Sequence, residues 1–389
     1  MADTRLSDRI TRIGTSATMA ITQTARDMRA NGRDVISLSA GEPDFDTPKH
    51  IRDAAVAAMA AGATRYTAVD GISELKSAII SKFERDNDLK FTPEQINVSP
   101  GGKPVIFNAL AVTIGAGDEV IVPAPCWVSY PDMVKLCGGT PVVVSCGAET
   151  AFRLTSEALE AAITPRTKWL MLNSPSNPTG AAYTADELRA LAEVLRAHPH
   201  VMVLSDDIYE HLVYDDFEFA TFAQVAPDLA DRTLTMNGVS KAYAMTGWRI
   251  GYAGGPDWLI SAMRKYMGQT TSNPASISQW AAVAALNGPQ AFLNDWRSTY
   301  VQRRDRVVSR LNAMHGVTCL TPPGAFYAFG DVSELTQDDA DFALRLLEET
   351  GVATVPGSAF HAPGHIRISY AAAIEELDGA LDRLEVFLS

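Results

Sequence analysis

Short apolar runs alternate with amphipathic stretches through the first three quarters of the chain. Residues 119–122, 141–145, 169–172, 202–205, 233–236 and 249–253 are rich in β-branched and other apolar side chains and bounded by turn-forming residues, which predicts strands. Between several of them, 127–136, 156–163 and 185–197 repeat apolar positions at helical spacing. This order predicts βαβ crossovers and a mostly parallel sheet. Near-continuous apolar strands fit a sheet covered on both faces, whose ligands sit beyond the carboxyl ends of the strands.

After Gly288 and Pro289 the pattern changes to a long polar helix over 290–314, the segment TPPGAFYAF (321–329), a helix over 338–349, the strand HIRISYA (365–371) and a last helix. The reading is a large domain over 47–288 and a smaller α+β domain built from 1–46 and 289–389. A chain of 389 residues exceeds what one hydrophobic core usually serves, in agreement with two lobes.

The composition, 47% apolar and 20% charged, is that of a globular chain able to bury a large core. A formal charge of −13 disfavours a nucleic-acid partner, which needs a basic face. No window approaches the roughly 20 uninterrupted apolar residues of a membrane span. The first forty residues lack an apolar signal region and carry Asp3, Asp8 and Asp27 among their arginines, so the cytoplasm is the expected location. Cys126, Cys137, Cys146 and Cys319 show no CxxC spacing and are expected as reduced, mostly buried thiols. The seven histidines contain no HExxH pair, and no metal site is expected.

Candidate chemistry is concentrated in SKAYAMTGWRIG (240–251), where Lys241 precedes Arg249 in a glycine-flanked turn between two apolar strands. A lysine there can form an imine with an aldehyde cofactor, and the arginine can neutralise a phosphate. An isolated pair is more often a solvated lysine and a surface arginine. SPSNPTG (174–180) reads as a loop leaving a strand. In VMVLSDDIYEHL (201–212), Asp206 falls at a strand end with Tyr209 three residues on, and each alone reads as a cap or as core. Arg367 in HIRISYA is either an edge residue with a solvated head or aimed into a site at a carboxylate.

Taken together, Asn177, Asp206, Tyr209, Lys241, Arg249 and Arg367 occur in an order and spacing that resemble the class I aminotransferases, the fold-type-I pyridoxal-phosphate enzymes. The resemblance spans essentially the whole chain and includes AGEPDFDTP (40–48), RYTAVDG (65–71), SPGGKP (99–104), PAPCWVSYP (123–131) and TPPGAFYAF. It implies an α/β fold with a mostly parallel central sheet flanked by helices, a smaller α+β domain, and transfer of an amino group from an L-amino acid to a 2-oxo acid by a ping-pong mechanism. The implied cofactor is pyridoxal 5′-phosphate.

Within that resemblance, a carboxylate keeps the cofactor's ring nitrogen protonated. Asp207 suffices on charge alone, but the family pattern, with tyrosine three residues after the acid, selects Asp206. Asn177 and Tyr209 donate to the ring's phenolate oxygen, and Lys241 holds the aldehyde and moves the alpha proton. Gly101, Gly102 and Lys103, opening an apolar helical stretch over 105–114, are placed at the phosphate, although a Gly-Gly turn alone is more often plain geometry. Pro104 is tolerable in the first helical turn. Arg249 supplies charge and Ser240 a hydroxyl. Trp127 lies against the ring and the substrate, and Tyr66 crosses to the phosphate of a neighbouring subunit, which makes the expected assembly a homodimer with sites at the interface.

Arg367 suits a bidentate grip on the substrate's alpha-carboxylate, helped by Asn177 and the backbone at Gly41. No second arginine is assigned to a side-chain carboxylate. NPASISQW (273–280), around Ser276, resembles the bacterial subgroup I-beta aspartate aminotransferases, so aspartate and 2-oxoglutarate are the expected substrates. Subgroup members that accept prephenate often carry a basic residue near the position of Gly14; Gly14-Thr15 stands here, and prephenate is not expected. Aromatic or broad-specificity transamination and carbon–sulfur lysis are the alternatives.

Overall fold

A computed structural model describes residues 5–14 and 17–389; Asp3 and Thr15 lie outside the described residues. A short strand, β1 (Ile36–Ser37), comes first. Seven strands then form the main sheet: β2 (Ile96–Ser99), β3 (Glu119–Ala124), β4 (Thr140–Ser145), β5 (Thr167–Asn173), β6 (Met202–Asp206), β7 (Thr233–Gly238) and β8 (Gly251–Gly254). Their order is β2-β8-β7-β6-β5-β3-β4, and every pair is parallel except the two made by β8.

All six expected strands are present, with β2 as an addition that the four-residue run INVS did not announce. One boundary is corrected: Arg249 is not in a strand. It has φ 57°, in the left-handed region, and closes the tight turn Thr246–Trp248, so β8 begins only at Gly251. The link from β7 to β8 contains no crossover helix, and the chain therefore returns antiparallel.

Both faces of the sheet are covered. Trp169 and Met171 pack with Val105, Leu110, Leu259 and Met263 on one side. Leu170 and Leu172 pack with Leu188, Leu191 and Leu195 on the other, as alternation along β5 requires. The helix Ala185–Ala197 buries Leu188, Leu191, Ala192 and Leu195, an i, i+3, i+4, i+7 stripe. Thr184 caps its N-terminus in a reciprocal exchange with Glu187.

The C-terminal part adds β9 (Thr318–Cys319), β10 (Tyr327–Asp331), β11 (Val352–Ala353), β12 (Val355–Pro356) and β13 (His365–Ser369). A four-stranded antiparallel sheet has the order β12-β13-β10-β9, and β1 pairs parallel with β11. The long helix Phe292–Ala313 and the last helix Ile374–Leu388 cover this part. Its core also takes in Tyr209, Leu212 and Tyr214, so the loop after β6 is held by packing from the C-terminal part.

Register decides where the chemistry falls. Asn173, Asp206 and Met236 are lateral partners at the carboxyl ends of β5, β6 and β7.

Candidate active site

A cavity of about 490 Å³ opens beyond those three strand ends, and Asn173, Asp206 and Met236 line it. Lys241 and Ser240 from the turn after β7, Arg249, and Arg367 from β13 also reach it. So do Asn177, Tyr209, Trp127, Gly102, Lys103 and Gly41.

The Lys241 ammonium donates to the carbonyl of Gly41 and lies 5.8 Å from the ring centroids of Tyr209 and Phe326. Burial, with Arg367 and Arg249 adding repulsion, brings its pKa down to about 8 against the opposing pull of Glu42 and Asp206. A neutral amine is thus within reach near neutral pH, the condition for a nucleophile or a base. Gly41 is required where it stands, because a Cβ there would sit 2.6 Å from the Tyr327 hydroxyl.

Asp206 is buried at the end of β6. Its Oδ2 accepts from the Tyr130 hydroxyl at 2.6 Å and its Oδ1 from the Ile208 amide at 3.2 Å. Burial pushes the carboxyl up to about 6, opposed by those two donors and by Lys241. Asp207 is outside the cavity lining and accepts from the Ser205 hydroxyl at 2.7 Å. Its Oδ2 has no hydrogen-bond partner among the described residues, and burial pushes it to about 7. Of the two acids, only Asp206 faces the cavity.

Tyr209 and Tyr327 share a hydrogen bond of 2.8 Å between their hydroxyls, and burial holds the Tyr209 proton in place well beyond neutral pH. Arg367 is fully enclosed: one terminal nitrogen donates to Asn177 Oδ1 at 2.9 Å, another to the Ser39 carbonyl, and its guanidinium lies 4.5 Å from the Tyr327 ring centroid. No carboxylate pairs with it among the described residues, and its Nε is left without a partner. A buried guanidinium in that state calls for an anion.

At the other end, Gly101, with φ 104°, leads into the helix Gly102–Thr113. A Cβ on Gly101 would overlap the Arg249 guanidinium, and one on Gly251 would overlap the backbone of Gly101 and Gly102. These glycines bring the turn, the helix N-terminus and Arg249 together, although Gly101 backs Arg249 and is not itself in the lining. Lys103 is lowered by burial and by the nearby Arg249, and its ammonium lies 4.9 Å from the Trp127 ring centroid. Two cations beside free helix amides make an anion site. Pro104 falls in the first turn, as expected.

Of the expected site residues, Tyr66 lies elsewhere in this chain, as do Ser276 and Gly14, the two positions compared with the subgroup. Tyr66 is 91% exposed and outside the cavity lining. Ser276 opens a helix and donates to the Ala63 carbonyl at 2.6 Å, also outside the lining. Gly14 is exposed. Conversely, Tyr130, Tyr327 and Asn173 line the cavity without having been among the expected residues. Tyr130 had a signal, since it stands three residues after Trp127 and so on the same side of the helical turn, where the two rings meet edge-on at 5.4 Å.

A match to the family described as aminotransferase class I and II covers residues 33–384. The chain belongs to this family. It is 60% identical to an aspartate/prephenate aminotransferase of Cereibacter sphaeroides (strain ATCC 17029 / ATH 2.4.9), with 98% of each chain covered. Among solved structures, the aspartate aminotransferase from Rhizobium meliloti superposes with TM-score 0.95 at 52% identity, covering 98% of both chains. The Thermus thermophilus aspartate aminotransferase with maleate superposes with TM-score 0.95 at 46% identity, covering 98% of this chain and 99% of the other. The fold is that of the fold-type-I enzymes, and the cofactor of this aminotransferase is pyridoxal 5′-phosphate. The cavity fits that cofactor: it offers an amine, a carboxylate and an anion-binding end in one enclosure. Among the described residues no helix is long and apolar enough to cross a membrane, and all four cysteines are free, three of them buried.

Proposed function

We propose that this aminotransferase takes its amino group from L-aspartate and delivers it to 2-oxoglutarate by a ping-pong mechanism, working in the cytoplasm as a homodimer. The observation that carries the reading is Arg367, buried with an unpartnered Nε and held by Asn177 on the side of the cavity where Lys241 lies. It offers a substrate's alpha-carboxylate a bidentate contact that no carboxylate among the described residues occupies. The relatives named for aspartate, one of them solved with the dicarboxylate maleate, support a four-carbon dicarboxylic donor. The relative named for prephenate as well makes prephenate an arm of the test, against the expectation drawn from Gly14.

When bound, pyridoxal phosphate supplies an electron sink for the pair left by a broken alpha C–H bond. Asp206 would keep a proton on its ring nitrogen. Asn177 and Tyr209 would donate to its phenolate oxygen, and Gly102, Lys103, Ser240 and Arg249, with Gly101 backing Arg249, would hold its phosphate, with Trp127 beside the ring. Lys241 Nζ would anchor the cofactor through its aldehyde, and its free amine, with a pKa near 8, would carry the proton at the substrate's alpha carbon. Tyr66, exposed in its own chain, reaches the phosphate of a second copy. Residues 47–288 make the large domain, and 1–46 with 289–389 the small one.

The test mixes purified enzyme with aspartate and 2-oxoglutarate and assays oxaloacetate, glutamate, ammonia and carbon dioxide, with prephenate and aromatic amino acids in parallel. Oxaloacetate and glutamate in equal amounts are expected. Ammonia or carbon dioxide in their place would move the enzyme to lyase or decarboxylase chemistry.

A further inference from the structure

Outside the cavity lining, but with Glu210 next to Tyr209 in the chain, lies a buried ionic cluster. Lys82, on the helix Ser73–Asn87, is fully buried and forms an ion pair with Glu210 Oε1. Its ammonium also donates to Asn87 Oδ1 at 2.6 Å, and Asn87 Nδ2 donates to Glu210 Oε2 at 2.8 Å, which closes a ring of three side chains. His211 Nε2 is 3.2 Å from Glu210 Oε1 and 3.7 Å from Asp86 Oδ2, while Arg85 grips Asp86 at 2.7 and 2.9 Å. Asp86, Glu210 and His211 present ligand atoms within 4.8 Å of one another, but Lys82 already supplies the positive charge such a set would seek.

The cluster connects to both loops that carry chemistry. Glu210 follows Tyr209 directly, and the turn holding both is closed by Glu210 N to Asp207 O at 2.9 Å and Leu212 N to Tyr209 O at 2.8 Å. Glu210 is thus one peptide from Tyr209, and its turn starts at Asp207, directly after Asp206. On the other side the His211 ring meets Tyr243 edge-on at 6.2 Å, and Tyr243 is buried two residues after Lys241. A buried pair is a costly way to gain stability, since apolar residues of the same volume often serve as well. Its location supplies another reason for it.

We propose that the Lys82–Glu210 pair, tied by Asn87 with the His211 ring beside it, is a positioning device that sets the place of Tyr209 and of the Lys241 turn for the aminotransfer reaction. The proposal rests on the aminotransferase reading, and wild-type turnover in the same assay tests that reading separately. The experiment compares the holoenzyme with Lys82→Met, Lys82→Met/Glu210→Met and Glu210→Gln. It measures kcat, KM for the amino acid, melting temperature, and the pH midpoint of the bound cofactor's absorption change. Lys82→Met should be the least stable, because a buried carboxylate is left alone; the double variant should recover most of the loss. Both should lose about tenfold or more in kcat, with KM changed by less than about twofold, and their absorption midpoint should move. Glu210→Gln keeps volume and the Asn87 contact, and should fall between them and the wild type. A double variant with wild-type kcat and midpoint would reduce the pair to a structural role. If neither Lys82 variant folds, wild-type kcat and midpoint in Glu210→Gln overturn the proposal in the same way.

Discussion

The Tyr130 hydroxyl donates to Asp206 Oδ2 at 2.6 Å, joining the helix after β3 to the end of β6. This bond stabilises the ionised carboxylate against the burial that pushes it up to about 6. Tyr130→Phe is expected to keep the fold and the cofactor, and to lose about 2 kcal/mol of support for the charge, roughly thirtyfold in kcat. Asp206→Ala should cost several orders of magnitude, whereas Asp207→Ala should leave turnover largely intact. Steady-state kinetics of the three variants checks this, and equal losses at the two acids would remove the role from Asp206.

Lys241→Ala should lose borohydride-trappable cofactor, read by mass spectrometry, together with nearly all turnover. In the cofactor-free wild type the neutral amine is the reactive form, so trapping of an added aldehyde at Lys241 should speed up with pH and level off above about 8. A rate that goes on rising to pH 10 would contradict the lowered pKa.

Burial raises Asp206 to about 6 and Asp207 to about 7, above the ordinary 3.8. Between roughly pH 4 and 7 the folded, cofactor-free protein thus retains protons that the unfolded chain has released, and stability falls as pH rises through that window. Asp207→Asn keeps the Ser205 contact and removes one of the two charges. It should gain on the order of 2–4 kcal/mol near pH 8 and nothing near pH 4. Denaturant melts at the two pH values decide it; a gain that is the same at both would place the effect in packing.

The exposed Tyr66 bears on the proposed homodimer. Mixing inactive Lys241→Ala chains with weakened Tyr66→Phe chains should produce hybrids in which one site carries both lesions and the other neither. Activity should then exceed the sum of the two homodimers, once subunit exchange is shown by mass spectrometry. No gain in a demonstrated hybrid, with Tyr66→Phe itself impaired, would return Tyr66 to its own subunit's site.

Much of the site was legible because it is written locally. Apolar runs of strand length placed β3 to β7, and Lys241, Asn177 and Asp206 stood just where those runs end, which in a parallel sheet is the ligand side. Residue type then limited the chemistry to an amine, an amide and a carboxylate. The sequence alone therefore determined six of the seven strands of the sheet, the family resemblance and much of the cavity wall.

The tertiary structure decided what depends on which segments meet. Asp206 and Asp207 are adjacent and identical in the chain; only the folded backbone, with Asp206 ending β6 and Asp207 just beyond it, puts one in the cavity and the other against Ser205. Tyr130 and Tyr327 acquired their roles from contacts 76 and 118 residues away along the chain, and Lys82 meets Glu210 across a comparable gap. No periodicity encodes such pairs, because burial selects the partner and a buried polar group has to find one. The same burial moved Lys241 and Asp206 toward neutral pH, a property of the enclosure and not of either residue.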